Sequence, residues 1–252
     1  MRKVFITILT AIFWFGIVQS SFEKMPDRSN PDHKHYTAFE QYMMDFYLQL
    51  DDTSLNYTAF KTALKGYYYL NKEGELKNTN VFTLIDYSKS ANTKRFFVID
   101  PEQQKILFKT YVAHGKGSGV EYPTRFSNDN KSHKSSLGFF VTGQTYYGRH
   151  GYSLRLTGLE KNFNSNARKR AIVIHGAGYV SKEYILQNGR LGRSFGCPAL
   201  PTDVNKNIID TIKNSSCLFC YYPEKRYFVA SSILLKMNDR EITGSIFEKS
   251  IN

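Results

Sequence analysis

The chain has 252 residues, 41% hydrophobic and 22% charged, a balance that buries a core and excludes wholesale disorder. With no Gly-X-Y period, heptad run or internal repeat, collagen, coiled coil and solenoid drop out. The 34 basic residues against 22 acidic ones leave a charge of +12, which favours an anionic neighbour: nucleic acid, a membrane surface or a cell wall. The basic residues lie in short pieces such as Arg168-Lys169-Arg170, and no nucleic-acid-binding motif accompanies them, so nucleic acid is set aside.

Met1-Arg2-Lys3 is a cationic start, and Val4 to Val18 is almost wholly apolar. Val18-Gln19-Ser20 then offers small residues at the positions a signal peptidase reads, completing a tripartite secretory pattern over residues 1–20. The apolar run is short for a membrane span, which needs about 20 residues. No second candidate span follows; an uncleaved anchor stays open. Residues 21–35, with Pro26 and Pro31, read as a flexible leader, and His33 and His35 there as incidental. The chain is expected to work outside the cytoplasm.

Tyr36–Leu50 and Tyr57–Leu70 carry apolar residues at helical spacing, so residues 36–80 are expected to be helical and packed on the main body. From Val81 the character changes. Val81–Tyr87, Arg95–Asp100, Lys105–Ala113, Phe139–Thr142, Ser153–Leu156, Ala171–His175 and Cys217–Tyr222 read as strands, with Tyr227–Leu234 as a further candidate. One late helix is expected, capped by Thr202, with Val204, Ile208, Ile209 and Ile212 on one face. The fold class is α+β, with a mostly antiparallel sheet or sandwich over residues 81–235 and a tail over 236–252.

Three cysteines, Cys197, Cys217 and Cys220, leave at least one thiol unpaired within the monomer. Cys217-Leu218-Phe219-Cys220 has CxxC spacing, but no second ligand pair suggests zinc, and it reads as two core residues on a strand, with a disulfide left open. His114-Gly115-Lys116-Gly117-Ser118-Gly119 lacks the P-loop spacing and reads as a tight connection needing positive φ. His133 and His150 are lone loop histidines.

The sharpest chemistry lies in 171–201. Ala171-Ile172-Val173-Ile174-His175-Gly176 is a buried-type strand ending in His-Gly, and Arg193-Ser194-Phe195-Gly196-Cys197-Pro198 follows. A thiolate is a strong nucleophile that an imidazole can generate. Gly196 lets successive N–H groups aim at one point, as an oxyanion hole requires, and Pro198 holds Cys197 extended. Against this, Cys and His on a sheet are often plain core residues.

These residues resemble the murein L,D-transpeptidase catalytic domain family (the YkuD-type superfamily), in a divergent branch. The match rests on Ile174-His175-Gly176, Ser194-Phe195-Gly196-Cys197, Ser136-Leu137-Gly138, Gly148-Arg149-His150-Gly151, Leu156-Thr157-Gly158-Leu159, Asp86-Tyr87-Ser88-Lys89-Ser90 and His114-Gly115. Phe195 stands where the superfamily usually has His, and Ala199 where it has Arg or Asn. The resemblance implies an exported, cofactor-free enzyme of the periplasm or cell envelope acting on peptidoglycan stem peptides. Cys197 would be the nucleophile, His175 the base and then the acid, and Ser194 the loop support and a candidate to orient the imidazole. The N–H groups of Phe195, Gly196 and Cys197 would form the oxyanion hole, with Arg193 and Gly176 at the substrate. An L,D-carboxypeptidase and a silent wall-binding protein stay open; a papain-like peptidase fits less well, because His175 precedes the Cys and Pro198 follows it. Nothing sets an oligomeric state.

Overall fold

A computed structural model describes residues 37–237; the expected signal over 1–20, the leader over 21–35 and the tail beyond 237 lie outside the described residues. Helix α1 (Ala38–Gln49) opens on a capping box: the Thr37 hydroxyl accepts from the Glu40 N–H, and the Glu40 carboxylate accepts from the Thr37 N–H. Helix α2 (Tyr57–Lys72) is capped by Asn56, whose side chain accepts from the Ala59 N–H at 2.9 Å. The two aromatic stripes face each other and the sheet. Phe46 meets Phe60 edge-on at 5.2 Å, and Tyr67 reaches Phe82 at 5.5 Å. Gly66 of α2 lies so close to Phe139 that a Cβ there would sit 2.0 Å from the ring.

The strands are β1 (Phe82–Asp86), β2 (Phe96–Asp100), β3 (Lys105–Thr110), β4 (Gly138–Gly148), β5 (Gly151–Gly158), β6 (Val173–Gly176), β7 (Ala199–Leu200) and β8 (Cys217–Tyr221). They form one sheet in the order β3-β2-β1-β8-β4-β5-β6-β7, in which β1–β8 and β6–β7 are the parallel pairs. Central strands β1 and β8 are buried along their whole length; β8 is an unbroken apolar and aromatic run, and β1 also buries Thr83 and Asp86. Beyond β3 the chain runs on to Ala113, whose N–H donates to the Ala199 carbonyl at 2.9 Å. The two ends of the sheet therefore meet, and it is nearly a barrel. The α+β reading with a mostly antiparallel sheet holds.

Several details differ from expectation. The late helix α4 (Asn205–Ile212) does bury Ile208, Ile209 and Ile212, but its N-cap is Val204 and no side chain caps it; Thr202 lies outside the turn. Tyr227–Leu234 is not a strand. It holds α5 (Lys225–Ala230) and leads into a 3-10 turn over Leu234–Lys236, because tertiary bonds decide there. The buried Glu160 carboxylate accepts from the Phe139 N–H at 2.8 Å, from the Tyr227 hydroxyl at 2.9 Å and from the Ser231 hydroxyl, which pins α5 to the sheet. A further helix, α3 (Lys182–Asn188), was not expected; it has no buried residue. Cys217 and Cys220 are free thiols, fully buried on β8.

Candidate active site

β6 and β7 run in parallel with His175 opposite Ala199 and Gly176 opposite Leu200. Cys197 precedes β7 by the two residues that separate Val173 from His175, so the Cys197 thiol and the His175 imidazole share one corner of the sheet. His175 is buried, and its Nδ1 lies 2.9 Å from the Gly176 carbonyl. A carbonyl only accepts, so Nδ1 carries the proton and Nε2 keeps its lone pair. Burial, joined by the nearby His150, holds the imidazole below its ordinary pKa against the opposing pull of the Gly176 carbonyl, which keeps it neutral near pH 7.

Cys197 is half-buried, and its thiol donates weakly to the Ala171 carbonyl at 3.6 Å. Burial pushes the thiol up; the Val173 N–H and the Arg170 charge oppose that without overcoming it. The resting sulfur is therefore a thiol, and among the described residues it shares no hydrogen bond with His175. Such contacts often tighten only once substrate is bound. Ala171 adopts φ 52, a strained value for a residue with a Cβ, and this turns its carbonyl toward the sulfur.

The loop before Cys197 is held by hydrogen bonds. Ser194 Oγ donates to the Cys197 carbonyl at 2.6 Å and accepts the Gly196 N–H at 3.0 Å. Ser194 thus supports the loop and does not touch the imidazole. The Gly196 N–H is spent on that bond, while those of Phe195 and Cys197 have no acceptor among the described residues. Gly196 sits at φ 126, and a Cβ there would lie 2.9 Å from the Lys134 carbonyl and 3.3 Å from Arg170 Nη2. Phe195 is 64% exposed, with Lys116 Nζ 4.3 Å above its ring and His133 edge-on at 4.7 Å. Arg193 donates to the Gly119 carbonyl at 2.9 Å, so it clamps a loop. A Cβ at Gly176 would meet Asn205 at 2.8 Å.

Two further loops are stitched to this one. The Lys116 N–H donates to the Ser194 carbonyl at 2.8 Å, and the Ser194 N–H to the His114 carbonyl at 3.0 Å. Ser135 Oγ accepts from the Gly115 N–H at 3.0 Å and donates to the Gly196 carbonyl at 3.3 Å. The glycines of 115–119 are thus required by close approach and not by positive φ: a Cβ at Gly115 would sit 2.4 Å from the His133 carbonyl. Beneath them lies Arg95, fully buried. Its guanidinium donates to the Val112 and Lys89 carbonyls and, at 2.8 Å, to His114 Nδ1.

Sequence reasoning gave no role to Arg170, His150, Ser135 or the Arg95–His114 pair. Arg170 donates to the Ser127 carbonyl at 2.7 Å, to Ser136 Oγ at 2.6 Å and to the Lys134 carbonyl at 2.5 Å, and its charge acts on the Cys197 thiol. His150, at the tip of the β4–β5 hairpin, stacks on His175 with ring centroids 4.3 Å apart and planes 20° from parallel. Gly148-Arg149-His150-Gly151 entered only as a piece of the family resemblance, and nothing in the sequence said where the imidazole points. Among the described residues no cluster of His, Cys, Asp and Glu is arranged to hold a metal ion, and no helix is long and apolar enough to cross a membrane.

Comparison with solved structures finds similarity to an L,D-transpeptidase from Mycobacterium smegmatis, at 15% identity over 57% of this chain and 59% of that one, with a TM-score of 0.36. An L,D-transpeptidase from Xylanimonas cellulosilytica matches at 15% identity over 56% and 60%, TM-score 0.33. L,D-transpeptidase 1 of Mycobacterium tuberculosis matches at 15% over 57% and 62%, TM-score 0.31. The chain thus spans about three-fifths of the length of these proteins. No curated protein matches. The sequence model of the L,D-transpeptidase catalytic domain matches residues 51–221, a stretch that runs from the end of α1 through β8 and takes in His175, Ser194 and Cys197. With well over half of its length accounted for in this way, the chain belongs to the L,D-transpeptidase catalytic-domain family.

Proposed function

We propose that the protein is a peptidoglycan L,D-transpeptidase that acts through a thioester on Cys197. The observation that supports this is the state of His175. With its Nδ1 proton given to the Gly176 carbonyl, Nε2 is a free base on the strand beside the nucleophile loop. In this reading His175 takes the thiol proton as Cys197 attacks the carbonyl of the diamino acid at position 3 of a tetrapeptide stem. The N–H groups of Phe195 and Cys197 receive the oxyanion, with Gly196 shaping the turn and its own N–H kept for Ser194. Collapse breaks the C–N bond, His175 returns its proton to the leaving D-alanine amine, and a thioester remains. An amine of a neighbouring stem then attacks the thioester and gives a proton to His175; collapse breaks the C–S bond, and His175 returns the proton to the sulfur, which restores the thiol. The chain's own side chains supply nucleophile, base and acid, without metal or organic cofactor. Residues 1–20 direct export, the enzyme works in the periplasm or cell envelope, and its positive charge suits an anionic wall.

The test is mass spectrometry of the protein incubated with tetrapeptide-bearing muropeptides, beside Cys197→Ala. Cross-linked dimers that vanish in the variant are expected. Tripeptides alone, lost in the variant, would make it an L,D-carboxypeptidase with water as acceptor. Products that persist in the variant, or no product and no adduct on Cys197, would overturn the reading.

A further inference from the structure

The His150 imidazole is an unusual neighbour for a base. It comes from the exposed turn between β4 and β5, yet its ring lies face to face with the buried His175, centroids 4.3 Å apart. Among the described residues, the elements paired with β6 or packed on Gly176 place uncharged groups there. β5 pairs Ser153 with His175, β7 pairs Ala199, and α4 brings Asn205 against Gly176. The charged pair on α4, Lys206 with Asp210, is turned to Tyr152 and to itself. Among the described residues, the titratable groups at this corner are His150, the Cys197 thiol and, on the sulfur's side, the Tyr179 phenol, which burial raises and the Cys197 charge raises further. Arg170 faces the sulfur from the other side.

We propose that His150 is a positioning residue for the acyl-transfer reaction: stacked on His175, it fixes the ring plane that directs Nε2 at Cys197 and keeps a second proton off the pair. The first part follows from shape. The Gly176 carbonyl holds one edge of the His175 ring but leaves it free to pivot about that bond, and a parallel ring on its face removes the pivot. The second part follows from charge. Two imidazolium rings at 4.3 Å repel, so once His150 is protonated His175 resists protonation, and this adds to the effect of burial. The base then stays competent at a lower pH than burial alone would allow. The proposal rests on the transpeptidase reading for its kinetic consequences, but the ring-on-ring coupling can be measured without substrate.

Two variants on this exposed turn separate shape from charge. His150→Phe keeps a flat ring and removes the charge; His150→Ala removes both. In full-length protein the His175 ring resonance is followed by NMR against pH, assigned by its loss in His175→Gln. Its midpoint should rise by about half a pH unit or more in both variants, the size expected for like charges about 4 Å apart at a solvent-facing site. With muropeptides, the acid limb of kcat/KM should move up by the same amount in His150→Phe. In His150→Ala kcat at the plateau should fall further, on the order of tenfold, with KM little changed. An unmoved His175 midpoint in both variants would overturn the electrostatic part, and equal plateau kcat in His150→Ala and His150→Phe the positioning part. A midpoint that shifts in both variants, in a protein whose wild type makes no muropeptide product, would leave the coupling standing and remove the transpeptidase reading.

Discussion

His114 makes the sharpest thermodynamic prediction. Its ring is fully buried, Nδ1 faces the Arg95 guanidinium at 2.8 Å, and Nε2 lies 3.3 Å from the Gly119 carbonyl. A guanidinium cannot accept, so Nδ1 must be the bare nitrogen, and protonating it would set N–H against N–H beside a cation. Burial first, and the Arg95 charge second, pull the imidazole down to about 3, against a Gly119 bond that pulls the other way. In the unfolded chain the ring takes its proton near pH 6.5. The folded state thus binds fewer protons, so this group's contribution is complete above pH 6.5 and is lost as pH falls toward 3. Between pH 7 and pH 5 the loss is about 2 kcal/mol, at roughly 1.4 kcal/mol per unit below 6.5. His114→Asn keeps an acceptor and a donor but cannot be protonated. Urea unfolding at pH 7 and pH 5 should therefore show wild type losing about 2 kcal/mol more than the variant, about 1 M in midpoint. Equal losses in the two proteins would mean that the folded ring carries a proton and that Arg95 does not bond Nδ1.

Two other substitutions test the packing behind the site. Ser135→Ala removes little volume but strands the buried Gly115 N–H and the Gly196 carbonyl, and it loosens the buried Tyr87 phenol bonded to the same hydroxyl. It should cost about 2–4 kcal/mol and lower Tm, whereas Ser165→Ala, on the exposed surface, should stay within about 0.5 kcal/mol; equal thermal scans for the two would refute the hub role of Ser135. Gly66→Ala gains helix propensity of at most about 1 kcal/mol, but its Cβ would enter the Phe139 ring. A net loss of about 1–3 kcal/mol in urea is expected, and a stabilised variant would mean that α2 can lift off the sheet at little cost.

The parts of the fold that were legible in the sequence are those where burial leaves a pattern. Strands β1, β2 and β8 are rich in apolar and aromatic residues, and α1 and α2 carry aromatic stripes at helical spacing. Helix α3 buries nothing, so it has no periodicity to read. Tyr227-Phe228-Val229 has strand composition, and only the reach of Tyr227 and Ser231 to Glu160 makes it a helix end. In the site, Ser194, Gly196 and Cys197 could be read because neighbours in sequence are neighbours in space there. Arg95 and His114, nineteen residues apart, meet through the β2–β3 fold, and His150 reaches His175 across a hairpin. Such contacts have no local signature. The glycines of 115–119 were visible, but their cause, three loops pressed together, was not.

The corner that holds Cys197 must be made rigid without bulk. Ser194 and Gly196 offer no apolar side chain to pack, and Phe195 points outward. Order in such a loop has to come from hydrogen bonds to neighbours that are themselves fixed. The chain of contacts runs inward from Gly196 to Ser135, from Ser135 to Gly115, and from Ser194 to His114, and it ends on the Arg95 guanidinium. A fully buried cation is costly unless its donors are taken up. Among the described residues no carboxylate pairs with Arg95; Asp86 acts on it only through space, and the Tyr87 ring lies 5.2 Å from it. Its donors go to backbone carbonyls and to one imidazole, so the energy of satisfying it depends on where the 112–119 loop lies. Moving that loop would uncover the charge, and moving the 194–197 loop would break its bonds to the 112–119 loop. The placement of Cys197 and the stability of this corner are therefore one quantity, which is why acid, by charging His114, should loosen the 194–197 loop before it unfolds the sheet.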